Sequence, residues 1–222
     1  MNRGLGGPGI RGRGLLITFE GIDGCGKSTQ LALAKELLVK KGVPCIVTRE
    51  PGGTAISEKI RNILLSMQNA EMCDACELLL YMAARAQHVQ EKIVPAMNGG
   101  AVVLCDRFAE ATFAYQGYGR GLPLEMLEKI NSFATATLEP SFTFVFDISV
   151  RAASERLRKT GKAVDRLEGN GAEFYEKVKL GYLALAKRYS YRTMVLPGQS
   201  PVEELSGIVC KRILELYNQT RQ

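Results

Sequence analysis

Gly21-Ile22-Asp23-Gly24-Cys25-Gly26-Lys27-Ser28 has the spacing G-x-x-x-x-G-K-[ST], and no other stretch constrains the fold as strongly. Such a loop binds phosphate when it joins a strand to a helix N-terminus. There backbone N–H groups converge and the helix dipole favours negative charge. Both flanks fit. Leu15-Leu16-Ile17-Thr18-Phe19 is a short apolar, β-branched and aromatic run, which reads as a strand. From Ser28 to Lys41 apolar residues fall at Leu31, Ala34, Leu37 and Leu38, which is helical spacing. In this setting Lys27 reaches the β- and γ-phosphates of a nucleotide, and the Ser28 hydroxyl ligates Mg²⁺.

Strand-like runs continue at 44–48, 101–105, 142–147 and 191–196. Helical stretches alternate with them at 28–41, 57–66, 74–97, 109–116, 123–136, 150–159, 172–189 and 201–218. That alternation predicts a parallel sheet with helices on both faces. Pro95 is expected to end or kink the third helix. The 222 residues suit a single domain over 14–222, preceded by a flexible Gly- and Arg-rich tail at 1–13. No apolar run reaches the roughly 18 residues needed to span a membrane, and the N-terminus lacks the apolar centre of a secretory signal. Membrane association is not expected, and a cytoplasmic location is.

The formal charge of +6 suits an anionic partner. Many arginines fall near motifs rather than in one run, which favours small phosphorylated substrates over nucleic acid. The six cysteines offer no metal site. Cys73-Asp74-Ala75-Cys76 has no second C-x-x-C, and His88 is the only histidine. Reduced thiols are expected, with Cys25 a spacer in the loop.

In such sheets ligands bind beyond the C-terminal strand ends. The loop Arg49-Glu50-Pro51-Gly52-Gly53-Thr54 follows the second strand, Asp106-Arg107 ends the third and Asp147 ends the fourth. Asp106 is expected to hold the metal with Ser28, directly or through water. The Arg107 guanidinium fits a phosphate bidentately, the alternative being an exposed ion pair. Asp147 reads rather as a helix cap. Arg156, Arg158, Lys159, Lys162 and Asp165-Arg166 form a basic segment between two helices, a lid over about 156–170 that closes on a nucleotide. Tyr115-Gln116-Gly117-Tyr118-Gly119-Arg120-Gly121 could pair and stack with a base, or be a Gly-rich surface loop. Arg85 and His88 share a helix face with Tyr81, and a lone histidine there reads as a surface or capping group.

Four motifs together resemble the bacterial thymidylate kinases, a P-loop nucleoside-monophosphate kinase family. They are Phe19 to Thr29, Arg49 to Thr54, Asp106-Arg107-Phe108 and Ala114 to Gly121, and the likeness runs from about Gly14 to the C-terminus. The resemblance implies a P-loop three-layer α/β fold, a five-stranded parallel sheet wrapped by helices with a short basic lid. It implies Mg²⁺-dependent transfer from ATP to dTMP by a homodimer. It places ATP on Gly21, Ile22, Asp23, Gly24, Cys25, Gly26, Lys27, Ser28 and Thr29, with Arg156 and Arg166 from the lid. It places dTMP on Asp23 (3′-hydroxyl), Tyr81 and Arg85 (thymine), Arg107 (phosphate), Tyr115 (deoxyribose), Gln116, Thr112 and Glu50. Lys27, Arg107, Asp23 and Arg158 form its catalytic set. Because Gly24 rather than an arginine follows Asp23, the catalytic arginine is expected from the lid, with Arg158 the first choice. Members often carry Ser where this chain has Ala111, so polar work near the base falls to Thr112. Alternatives are a kinase for another nucleotide such as dUMP, or a GTP-binding switch, for which no Asn-Lys-x-Asp or following Asp-x-x-Gly is present.

Overall fold

A computed structural model describes residues 14–160, 166 and 171–221. The expected tail at 1–13 and most of the expected lid, 161–165 and 167–170, lie outside the described residues.

Five strands pair in the order β2-β3-β1-β4-β5, and all are parallel: β1 Leu15–Glu20, β2 Cys45–Arg49, β3 Val102–Asp106, β4 Phe142–Asp147 and β5 Thr193–Pro197. The central strands are buried on both faces, so they read as continuous apolar runs rather than alternating ones. Phe19 lies 5.7 Å from Phe144 and 6.3 Å from Phe146 between ring centroids, and all three are fully buried. Each such side chain contributes about 1.5–3 kcal/mol by leaving water. The hydroxyls buried in the sheet find each other, Thr18 and Thr143 at 2.8 Å, which removes the cost of leaving them unpaired.

The helices are α1 Lys27–Lys40, α2 Ala55–Leu65, α3 Asp74–His88, α4 Val94–Asn98, α5 Ala109–Thr112, α6 Leu124–Thr135, α7 Val150–Thr160, α8 Ala172–Arg188 and α9 Val202–Gln219. Helix α1 buries Leu31, Ala34 and Leu38 on the expected stripe. The third predicted helix is interrupted. Between α3 and α4 the residues Val89–Ile93 form a π-helical turn, and Pro95 sits at the start of α4. Proline cannot donate to the ladder and crowds the carbonyl four residues back, so a widened turn ahead of it relieves the strain. The predicted helix 109–116 likewise passes at Phe113 into a π-helical segment, Phe113–Gly119. Asp147 does not cap α7: it pairs with Lys179 at 3.3 Å, and Ser149 Oγ accepts the Ala152 N–H.

The register sets the strand ends in one row, with Phe19 beside Asp106 and Arg49 beside Asp106 on the other side. Glu20, Arg49, Asp106 and Asp147 end β1 to β4. One sheet edge therefore gathers charge from four separate parts of the chain.

Candidate active site

The loop after β1 is built on glycine backbone. Gly21 has φ 134°, and a Cβ there would lie 2.7 Å from Phe146 O. Gly24 has φ 81°, and a Cβ there would lie 2.5 Å from Ala153 O. A side chain at either position would be both strained and in collision. Gly26, also left-handed, precedes the first turn of α1. Lys27 Nζ donates to Gly21 O and Ile22 O, both at 3.0 Å. Ser28 Oγ donates to Asp106 Oδ2 at 2.9 Å, so the two expected metal-holding oxygens are side by side. A cleft of about 720 Å³ opens over this loop. Its wall takes in Gly24, Cys25, Gly26, Lys27, Ser28 and Thr29 from the loop, with Arg156 and Gly198 opposite.

Arg156 Nη1 donates to Gly198 O at 2.9 Å, beside the loop. Arg158 is two residues on, about 200° round the helix, and is exposed. The arginine of α7 brought to the loop is therefore Arg156. Arg166 is placed elsewhere again: its Nε donates to Leu64 O at 2.8 Å and its Nη2 to Glu77 Oε2 at 2.5 Å, and its backbone N–H donates to the carbonyl of Leu65, which lines a second pocket.

That second pocket is smaller, about 90 Å³, and is lined by Tyr81, Arg85, Ala111, Thr112, Tyr115 and Gln116 among others. Here the structure brings together the residues expected to hold dTMP. Tyr115 donates from its hydroxyl to Asp23 Oδ2 at 3.2 Å, and the Arg107 guanidinium lies 5.0 Å above its ring. Arg107 Nη2 donates to Asp23 Oδ1 at 2.8 Å, and Nη1 to Gly21 O and to the Tyr182 hydroxyl. Burial pushes the Asp23 carboxyl up, but Arg107 and then Lys27 outweigh it and hold the group well below the usual carboxylate range. Thr112 is buried, and its hydroxyl has no hydrogen-bond partner among the described residues.

Arg107 is a non-glycine residue at φ 69°, a conformation that costs on the order of 1 kcal/mol or more. Neighbouring bonds hold it there. Its N–H donates to Phe19 O, and the next N–H, from Phe108, donates to Glu20 Oε1 at 2.6 Å. Glu20 is completely buried. Burial, and then the charge of Glu110, raise its carboxyl to about 8. Glu20 stands outside the expected site residues, and so does Glu77. The buried Glu77 carboxylate accepts from Gln116 at 2.9 Å, Arg120 at 3.2 Å and Arg166, tying α3 and the π-helical segment to Arg166. Burial would raise its carboxyl, but those bonds to Gln116, Arg166 and Arg120 lower it. A signal was present, since Glu77 lies four residues before Tyr81 on the same helix face.

Glu50 uses both oxygens inside the protein, Oε2 to Arg85 Nε at 2.7 Å and Oε1 to His88 Nδ1 at 3.0 Å. His88 is not at the surface; it is fully buried. Arg61, from α2, donates to Pro51 O and lines both cavities, with no sequence signal to mark it. Asp23, Glu50, Arg61 and Arg107 are shared between the two walls. The cavities therefore meet at this charged group.

A strand–glycine loop–helix on a five-stranded parallel sheet, with a second pocket abutting the loop, is the architecture of a P-loop phosphotransferase. Residues 19–207 match the thymidylate kinase family profile. A thymidylate kinase of Pelotomaculum thermopropionicum is 48% identical over 184 residues, 83% of this chain and 85% of that protein. One of Geobacter sp. (strain M21) is 47% identical over 201 residues, covering 88% and 89%. The crystal structure of thymidylate kinase from Ehrlichia chaffeensis superposes with a TM-score of 0.73 at 32% identity, covering 90% of this chain and 98% of that one. The chain belongs to the thymidylate kinase family.

Proposed function

We propose a division of labour among these residues for the family's reaction, in which ATP phosphorylates dTMP to dTDP. The observation that carries it is the shared wall, where Asp23, Glu50, Arg61 and Arg107 line both cavities at once. A phosphoryl group passing between two nucleotides would cross that wall. ATP takes the larger cleft. Lys27 exchanges its bonds to Gly21 O and Ile22 O for phosphate oxygens, and Arg156 neutralises charge from the opposite side. Arg158 would need the lid to turn before it could take the role expected of it.

In the smaller pocket Tyr81 stacks on the base, Arg85 and Thr112 donate to its edge, and Gln116 flanks it. Tyr115 packs against the sugar and Asp23 accepts from its 3′-hydroxyl. Arg107 releases Asp23 to the sugar and takes the acceptor phosphate. That phosphate is already ionised, so no strong general base is required; positioning and charge neutralisation carry the rate.

Ser28 and Asp106 fit Mg²⁺. Both are hard oxygen donors 2.9 Å apart at the loop, and this cation is commonly held by one or two protein oxygens plus substrate phosphates. When bound, Mg²⁺ supplies charge compensation on the triphosphate.

Cytoplasmic location is supported by six cysteines that are all free. No helix among the described residues is long and apolar enough to cross a membrane. A homodimer through α3 is supported by exposed Leu79, with Phe133 exposed on α6 packed beside it.

The test is ADP release from Mg·ATP with dTMP, dUMP, dCMP, AMP and GMP as separate acceptors. Fast turnover on dTMP with weak dUMP activity is expected. Equal turnover on dUMP would overturn the assignment of the base pocket.

A further inference from the structure

His88 has no place in the reaction just described, yet it is completely buried behind the acceptor pocket. Its Nε2 lies 2.6 Å from Thr48 Oγ1 and its Nδ1 3.0 Å from Glu50 Oε1. Burial pushes Glu50 up, but Arg85 and then the His88 bond outweigh it and lower its carboxyl, so Glu50 is an ionised acceptor and Nδ1 carries the donated proton. The other Glu50 oxygen takes Arg85 Nε at 2.7 Å. Arg85 is further held by Asn131 Oδ1 at 2.9 Å and Phe108 O at 2.9 Å. Three of its N–H donors are thus spent on protein oxygens. What remains is left for the Met82 sulfur at 3.9 Å and for the pocket that Arg85 lines.

Gly53 covers this chain of bonds. A Cβ there would lie 2.6 Å from both His88 Nε2 and Thr48 Oγ1, so the loop after β2 seats directly on the imidazole. A buried run of ionic and polar groups is weak as a source of stability, because apolar residues of similar volume often serve as well. What it does supply is orientation.

We propose that His88 is a positioning residue for acceptor recognition: pinned by Thr48, it holds Glu50, and Glu50 aims the Arg85 guanidinium at the base of dTMP. This rests on the assignment of Arg85 to the base.

The test is steady-state kinetics on the full-length enzyme with His88→Ala, His88→Asn, Thr48→Val, Arg85→Lys and the His88→Ala/Arg85→Lys double variant. His88→Ala is expected to raise KM for dTMP about tenfold, with kcat and KM for ATP within about twofold. Asparagine, which can donate from the Nδ1 position, restores part of the loss. Thr48→Val shifts KM in the same direction by less, and carries the same cycle if His88→Ala does not fold. In the Arg85→Lys background the His88 effect shrinks to within about twofold, because the group it aims is gone. A change in thermal midpoint with KM for dTMP unaltered would reduce His88 to packing and overturn the proposal. So would an effect undiminished in the Arg85→Lys background, which means another route. If Arg85→Lys itself leaves KM for dTMP unchanged, the base assignment fails and the proposal with it, a result distinct from failure at His88 alone.

Discussion

The larger cleft and the smaller pocket, proposed as donor and acceptor sites, share a wall but are made differently. The donor site is largely one contiguous stretch of backbone, with glycines where side chains would collide. The acceptor pocket is assembled from side chains of the phosphate loop, α2, α3, α5 and the π-helical segment. In and behind its wall stand buried carboxyl groups, Glu20, Glu50 and Glu77, each held by named donors. The difference teaches where each site is vulnerable. A backbone site loses chemistry when one charged group is removed. A side-chain site loses stability and selectivity when one member of a buried network is removed.

The largest effect is expected behind the acceptor pocket. Arg85→Ala leaves Glu50 buried without its principal cation, and should cost about 3–5 kcal/mol in urea unfolding. A loss below 1 kcal/mol would mean that water or a neighbour replaces the guanidinium, and the contrast between the two sites would weaken. Next comes Lys27→Ala, expected to lower kcat by about 10²–10³-fold while leaving dTMP binding measurable by calorimetry. Lost dTMP binding there would break the separation of the sites.

Arg156→Ala should lower kcat about tenfold or more, and Arg158→Ala by less, because only Arg156 is already at the loop. The reverse order would show that the lid turns α7 before transfer. Tyr81→Ala removes a stacking face and should cost about 1–3 kcal/mol in dTMP affinity, with KM for ATP little changed.

A further effect, set apart because it reads out with pH, is a pH dependence of stability. Glu20 is raised from 4.5 to about 8 by burial and by Glu110. The folded state therefore keeps a proton that the unfolded chain gives up, and stability falls as pH rises from 4.5 to about 8. The limit is about 1.4 kcal/mol per unit for one proton. Glu20→Gln cannot ionise, so its stability relative to wild type should grow across that window and level off outside it. Urea unfolding at three pH values across the window reads this directly; a difference that stays constant means Glu20 is already ionised in the fold.

Much of this architecture was legible from local pattern. The buried runs at Leu15–Glu20 and Phe142–Asp147 are strands because both faces are covered. The strand-end acids and arginines were legible for the same reason, since a parallel sheet sends its C-terminal ends to one edge. The form of the breaks was not. Pro95 marked a break near Val89–Ile93 but not its form, and nothing in Phe113–Gly119 distinguishes an α-turn from a π-turn, because the choice rests on what the turn must fit against. His88 looked like a surface residue because its partners, Thr48 and Glu50, lie about forty positions away in sequence.

The sequence by itself determined the phosphate loop, the parallel sheet and the motifs that converge on its edge. Each depends on neighbours within a few residues or on simple periodicity. Only the tertiary structure decided which arginine of α7 meets the loop, that Arg166 docks on Glu77, and that Glu50 faces Arg85 and His88. Those outcomes depend on long-range pairing of buried charges, where each carboxylate takes whichever donors the fold brings within reach and no local pattern records the choice.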